Sequence, residues 1–223
     1  MESNNHSQRN HLRTLIALAL LAAIAFVSTA LLRIPVVSFL KYEPKDIVIA
    51  IAGFIFGPLP ALGMTVVVAL IECFTISDTG LWGLLMNVIA SASFVLPAAI
   101  LYKKRRTIGG AVTGLVFGGI LAVVMMLLWN LLVTPIYLGY PRSAVADMLL
   151  PVFLPFNLLK CSINALLTIL LYKPVSRALQ ASHLVEKSGG TSPGKKRNMI
   201  PAITGILLAI VIAATIIFSL LSK

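Results

Sequence analysis

Charge is scarce in this chain of 223 residues: only 11% are Asp, Glu, Lys or Arg, where a soluble domain carries about 25%. That deficit excludes an ordinary soluble core. Acidic residues are scarcer still, seven against eighteen Lys and Arg. Cysteine is almost absent, and Cys73 and Cys161 both sit in apolar stretches without a CxxC pair or a nearby His cluster. Neither a disulfide framework nor a zinc site follows from them, and small buried apolar residues are the expectation. The three histidines, His6, His11 and His183, all fall in polar segments. An intramembrane metalloprotease lacks its ligands and a Ser/His/Asp hydrolase its base, so no enzyme is expected and no metal.

What the chain has in excess is apolar sequence, 59% of it. A bilayer-crossing helix takes about 20 mostly apolar residues, and the runs and their breakers place spans near 12–32, 47–57, 61–76, 81–102, 108–134, 151–172 and 200–221. The fold class is therefore an all-α, polytopic membrane helical bundle. The first run resembles a secretory signal, but Leu15 to Leu32 outruns the usual apolar region of about 7–15 residues, so it is kept as a membrane helix. The second span is too short to cross alone. It opens at Asp46, expected as its N-cap, and ends at Gly57-Pro58-Leu59-Pro60, a turn that reverses the chain.

The net charge of +11 does not indicate nucleic acid, because the basic residues lie in short clusters between apolar spans, where membrane orientation accounts for them. Alternating spans put twelve Lys and Arg on one side (9, 13, 103–106, 173, 177, 187, 195–197) and five on the other (33, 41, 45, 142, 223), with Lys160 inside a span. The basic side is expected in the cytoplasm, with 33–46, 76–80 and 135–150 outside. The N-terminus would then be cytoplasmic and the C-terminus extracellular, in a plasma membrane. A glycine-rich stretch at Gly189–Lys195 approaches a phosphate loop, but Lys196 replaces the Ser or Thr and no strand precedes it, so nucleotide binding is not expected there.

A few polar residues inside apolar spans are the candidate ligand-binding set. A lysine near mid-helix costs about 2.5–3.5 kcal/mol to insert, and Lys160 stands three residues after Asn157 on one helical face. The plain alternative is that Lys160 snorkels to the outer interface. Asn130 is a second such residue, with a helix-to-helix hydrogen bond as its ordinary role. Asn87 opens a run of small residues suited to close packing, and Glu72, near the outward end of its span, either joins a site or reaches water. Lys41 and Tyr42 lie in the outward loop 39–46, which suits a lid over a pocket or an interfacial anchor. Ala19, Ala22 and Ala23, with Ala30 and Phe26, give the first span a small-residue face for packing within the bundle or for docking a partner.

Four stretches taken in order carry a resemblance: Leu40–Ile47, Gly53–Leu59, Met86–Pro97 and Leu154–Lys160. Over about 12–175 the chain resembles the RibU family, the riboflavin-binding S components of energy-coupling factor (ECF) vitamin transporters. The resemblance implies a six-helix S component that binds one flavin near the outer face beneath its first extracellular loop. It implies Asn130, Asn157 and Lys160 as ligand-holding positions, and the alanine face of the first span as the surface that docks a transmembrane coupling subunit with its two ATPases. It implies no cofactor, riboflavin or a related flavin being cargo. The nearest rivals are an S component for thiamine, folate or biotin, or an autonomous facilitator. The expected division is a tail at 1–11, the vitamin-binding domain at 12–175, a cytoplasmic linker at 176–199 and an extra C-terminal transmembrane helix at 200–223, which departs from the family pattern.

Overall fold

The computed structural model describes residues 2–37 and 40–185; the extra C-terminal span and most of the linker lie outside them. Helix α1 (Glu2–Leu31) leads to a two-stranded hairpin, β1 (Ile34–Val37) and β2 (Leu40–Tyr42), then α2 (Lys45–Phe56) and α3 (Pro58–Thr75). Helices α4 (Gly80–Arg105) and α5 (Ile108–Leu132) follow, then the short α6 (Thr134–Leu138) and α7 (Arg142–Met148). A π-helical turn, Leu149–Phe153, runs into α8 (Leu154–Ala181). The helical bundle is as the hydropathy requires, and among the described residues five helices, counting α7 to α8 as one, are long and apolar enough to cross a membrane.

The ends differ from expectation in instructive ways. The tail at 1–11 is helical from Glu2, and the sixth span does not stop near 172 but runs through Pro174 to Ala181. Hydropathy reports where the lipid ends, whereas backbone hydrogen bonding continues for as long as the residues favour a helix. The outward loop is an antiparallel hairpin, pairing Ile34 with Tyr42 and Pro35 with Lys41. The loop 135–150 holds α6, closed at Gly139 in a left-handed conformation (φ 69°), and α7.

Helix α2 does not begin outside the bundle. Glu43, Lys45 and Asp46 are buried, and Asp46 is level with Ser91 of α4 and Asn164 of α8, to which it is hydrogen-bonded. At its other end Phe54 packs on Tyr102 and Tyr172, ring centroids 4.5 and 5.7 Å away. The α2–α3 turn at Gly57 then lies close to Lys103. A helix of 12 residues thus covers one end of the bundle, and the hairpin fills the other. Such a broken segment is tolerated at membrane depth where its polar groups are enclosed by protein.

The closest helix pair is α4 with α5. A Cβ on Gly118 would stand 2.2 Å from the carbonyl oxygen of Phe94, and one on Gly114 2.9 Å from the backbone of Ala98. Only hydrogen fits there, which is how small residues bring membrane helices together without a hydrophobic driving force. On α1, Ala22 is turned inward with Ala17, Leu21 and Ala25. Ala19 and Ala23 are exposed. The docking face expected at Ala19, Ala22 and Ala23 is therefore corrected: Ala22 belongs to the core, because it sits on the α1 stripe that meets α2 and α3.

Candidate functional site

The hairpin roofs a cavity of about 240 Å³ walled by α4, α5, α6 and α8. Asn87 from α4, Asn130 from α5, and Asn157 and Lys160 from α8 line it, with Lys41 from the hairpin. Five of the seven expected ligand positions thus converge from four separate elements. Met86, Met126 and Phe156 supply apolar wall.

Lys160 does not snorkel outward. Its side chain is 14% exposed and its ammonium lies 3.7 Å from an Asp46 carboxylate oxygen that is itself buried. Asp46 is not the cap of α2 either; the residue before the helix is Pro44, with no side-chain cap. Instead Asp46 accepts hydrogen bonds from Ser91 and, at 3.3 Å, from Asn164. Two donors and a nearby cation thus compensate the buried Asp46 carboxylate beside the cavity.

Asn157 donates to the carbonyl of Phe153 at 2.8 Å, at the end of the π-helical turn. Its amide oxygen makes no hydrogen bond among the described residues and is left for the cavity. Asn130 makes its helix-to-helix bond to the short neighbouring helix α6. It donates to Met126 O at 2.7 Å and accepts from Thr134 at 3.0 Å, tying α5 to α6.

The other two expected positions lie behind the cavity, not in its wall. Glu72 neither lines it nor reaches water: it is 2% exposed and accepts from Lys45 and, at 3.0 Å, from Asn87. Lys45 also donates to Glu43 at 2.9 Å, and Glu43 accepts from Arg33 at 3.1 Å. Two carboxylates and two cations balance one another, as buried charge requires. Tyr42 points past the cavity and donates to Asn164 at 2.9 Å, fixing the base of the hairpin to α8.

The roof is latched at its far edge. Lys41 donates to Asp78 at 2.6 Å, while Arg33 reaches the same carboxylate at 3.6 Å and the carbonyl of Ile76 at 2.6 Å. The hydrogen bond and charge of Lys41, and the charge of Arg33, hold the Asp78 carboxyl below its usual range. Sequence reasoning missed Arg33, Asp78 and the whole Glu43–Lys45–Glu72 network. A signal was present: Lys45, Asp46 and Glu72 all border apolar runs, where few charges are kept without partners.

The substrate-specific component family of ECF transporters matches residues 13–172. The riboflavin transporter RibU of Staphylococcus aureus (strain TCH60) is 29% identical over 178 residues, covering 75% of this chain and 93% of its own. The riboflavin transporter FmnP of Bacillus subtilis (strain 168) is 30% identical over 160 residues, covering 66% of this chain and 84% of its own. A solved S component of a bacterial ECF transporter superposes with a TM-score of 0.65 at 28% identity, covering 76% of this chain and 99% of the solved one.

Proposed function

The chain belongs to the substrate-specific component family of ECF transporters, and from that membership we propose that it captures riboflavin in the cavity beneath the hairpin for import. The observation that carries the proposal is the convergence of Asn87, Asn130, Asn157, Lys160 and Lys41 on one apolar-walled cavity, in a chain similar to two riboflavin transporters. A flavin suits that lining. Its flat rings rest against Met86, Met126 and Phe156, with thioether contacts to the ring edges. Its imide edge, alternating carbonyl, N–H and carbonyl, pairs with donors such as Lys160 and with the vacant acceptor of Asn157.

Lys160 serves as a charged hydrogen-bond donor and not as a base or nucleophile, so the vitamin crosses unchanged and the chain needs no cofactor of its own. Glu72 and Tyr42 act indirectly, through Asn87 and through Asn164. The cavity volume of about 240 Å³ is below the roughly 300–1,000 Å³ usual for ligands of this size, so entry moves the hairpin and closure follows binding. Delivery then falls to partners: a transmembrane coupling subunit with two ATPases, docked on the exposed Ala19 and Ala23 side of α1. Residues 12–175 form the vitamin-binding unit, with the 1–11 end on the cytoplasmic side and the hairpin outside.

The test is purification in detergent followed by absorbance at the flavin bands and titration by flavin fluorescence quenching. Riboflavin is expected to bind, and Asn157→Ala and Lys160→Ala each to weaken it by about 1–3 kcal/mol, the scale for leaving a buried partner unpaired. Wild-type affinity in both variants, or preference for thiamine, folate or biotin, would sink the assignment.

A further inference from the structure

At the end of the bundle opposite the hairpin lies a second, smaller cavity of about 120 Å³, lined by Tyr102, Arg106, Thr107, Ile108, Tyr172 and Lys173 among others. We propose that this notch binds a phosphate group, with an anionic phospholipid headgroup as the source that its surroundings favour.

Four kinds of donor meet there. Tyr102 and Tyr172 share one hydrogen bond, 2.8 Å between their hydroxyls; two hydroxyls carry two protons, so one remains to be donated elsewhere. Thr107 caps α5 by accepting from Gly110 N at 3.1 Å, which leaves its own proton free and places the positive end of the α5 dipole beside it. Arg106 and Lys173 add two cations, and among the described residues no carboxylate forms an ion pair with either. Glu43, Asp46, Glu72, Asp78 and Asp147 belong to the hairpin half of the molecule, while Glu2 opens α1 at the opposite end.

The backbone points the same way. Arg106 adopts a left-handed conformation, φ 39° and ψ 35°, at the C-cap of α4, a position where glycine or asparagine is usual. An arginine held there against its steric preference marks a place where its side chain is wanted. The cavity is too small for a tricyclic ring but holds a phosphate. Ile108, 43% exposed at its edge, offers acyl chains an apolar surface, and basic notches between helices at the cytoplasmic side suit anionic headgroups.

Native mass spectrometry of the full chain in detergent, with phosphatidylglycerol, phosphatidylcholine and glycerol 3-phosphate as probes, tests the inference. The wild type is expected to retain one phosphatidylglycerol, and Arg106→Gly with Lys173→Gln to weaken retention at least tenfold. Arg106→Gly relieves the left-handed strain, so loss of binding there is not loss of fold, while Lys104→Gln, outside the notch, is expected to change nothing. Saturable glycerol 3-phosphate without phosphatidylglycerol would keep the phosphate site and assign it to a soluble source. Equal retention of phosphatidylcholine, undiminished retention in the double variant, or no retention of any probe would overturn the proposal.

Discussion

The ammonium of Lys160 stands 3.7 Å from the carboxylate of Asp46, joining α8 to the first turn of α2 at the floor of the cavity. Removing either partner leaves the other charge buried, while removing both does not. Asp46→Asn and Lys160→Met are each expected to destabilise the protein by about 1–3 kcal/mol, and the double variant by less than the sum. Thermal unfolding in detergent of all four proteins checks this; strict additivity would mean that the two groups do not interact.

The latch predicts a kinetic effect. Exposed ion pairs are worth about 0.2–1 kcal/mol, so Lys41→Ala or Asp78→Asn should speed riboflavin release by about 1.4- to 5-fold, measured by stopped-flow fluorescence, with little change in thermal stability. The difference between wild type and variants should shrink at high salt, because the pair is exposed. An unchanged release rate would mean that the hairpin is held by Tyr42 and Arg33 alone.

The pH dependence of that latch follows from the Asp78 carboxyl being held below its usual value. Its contribution is present above the free carboxylate pKa of about 3.9 and is lost as pH falls through the lower value of the folded state. Release from the wild type, measured by the same stopped-flow method, should therefore show no step assignable to Asp78 between about pH 5 and pH 8. A step in that range that disappears in Asp78→Asn would contradict the direction of the shift.

Gly118 faces the carbonyl of Phe94 with no room for a side chain. Gly118→Ala should cost at least the roughly 1–3 kcal/mol of an overpacked core, read as a lower melting temperature, and Gly118→Val more. Gly63 meets nothing within 4 Å and should accept alanine with little change, which makes it the control.

On α1 the alanines divide by burial. Ala23→Leu should leave riboflavin binding intact and reduce ATP-dependent uptake in vesicles, by blocking close approach of a coupling subunit. Ala22→Leu, with Ala22 only 8% exposed, should lower the melting temperature instead. Normal uptake by the Ala23 variant would free that face of any docking role.

The sequence by itself determined the class: scarce charge and long apolar runs placed the long helices among the described residues, and four ordered stretches indicated the family. It also determined which polar residues were costly enough to matter, because the expense of burying Lys160 or Asn157 in lipid is a property of the residue and its neighbours along the chain. Pairing is not such a property. That Asp46 answers Lys160 and is no helix cap, that Glu72 holds Lys45 behind the cavity, and that Ala22 turns inward while Ala23 does not, depend on which faces meet when the helices pack. The tertiary structure decided those points, since in a medium without water each buried charge must find its partner wherever the bundle brings one within reach.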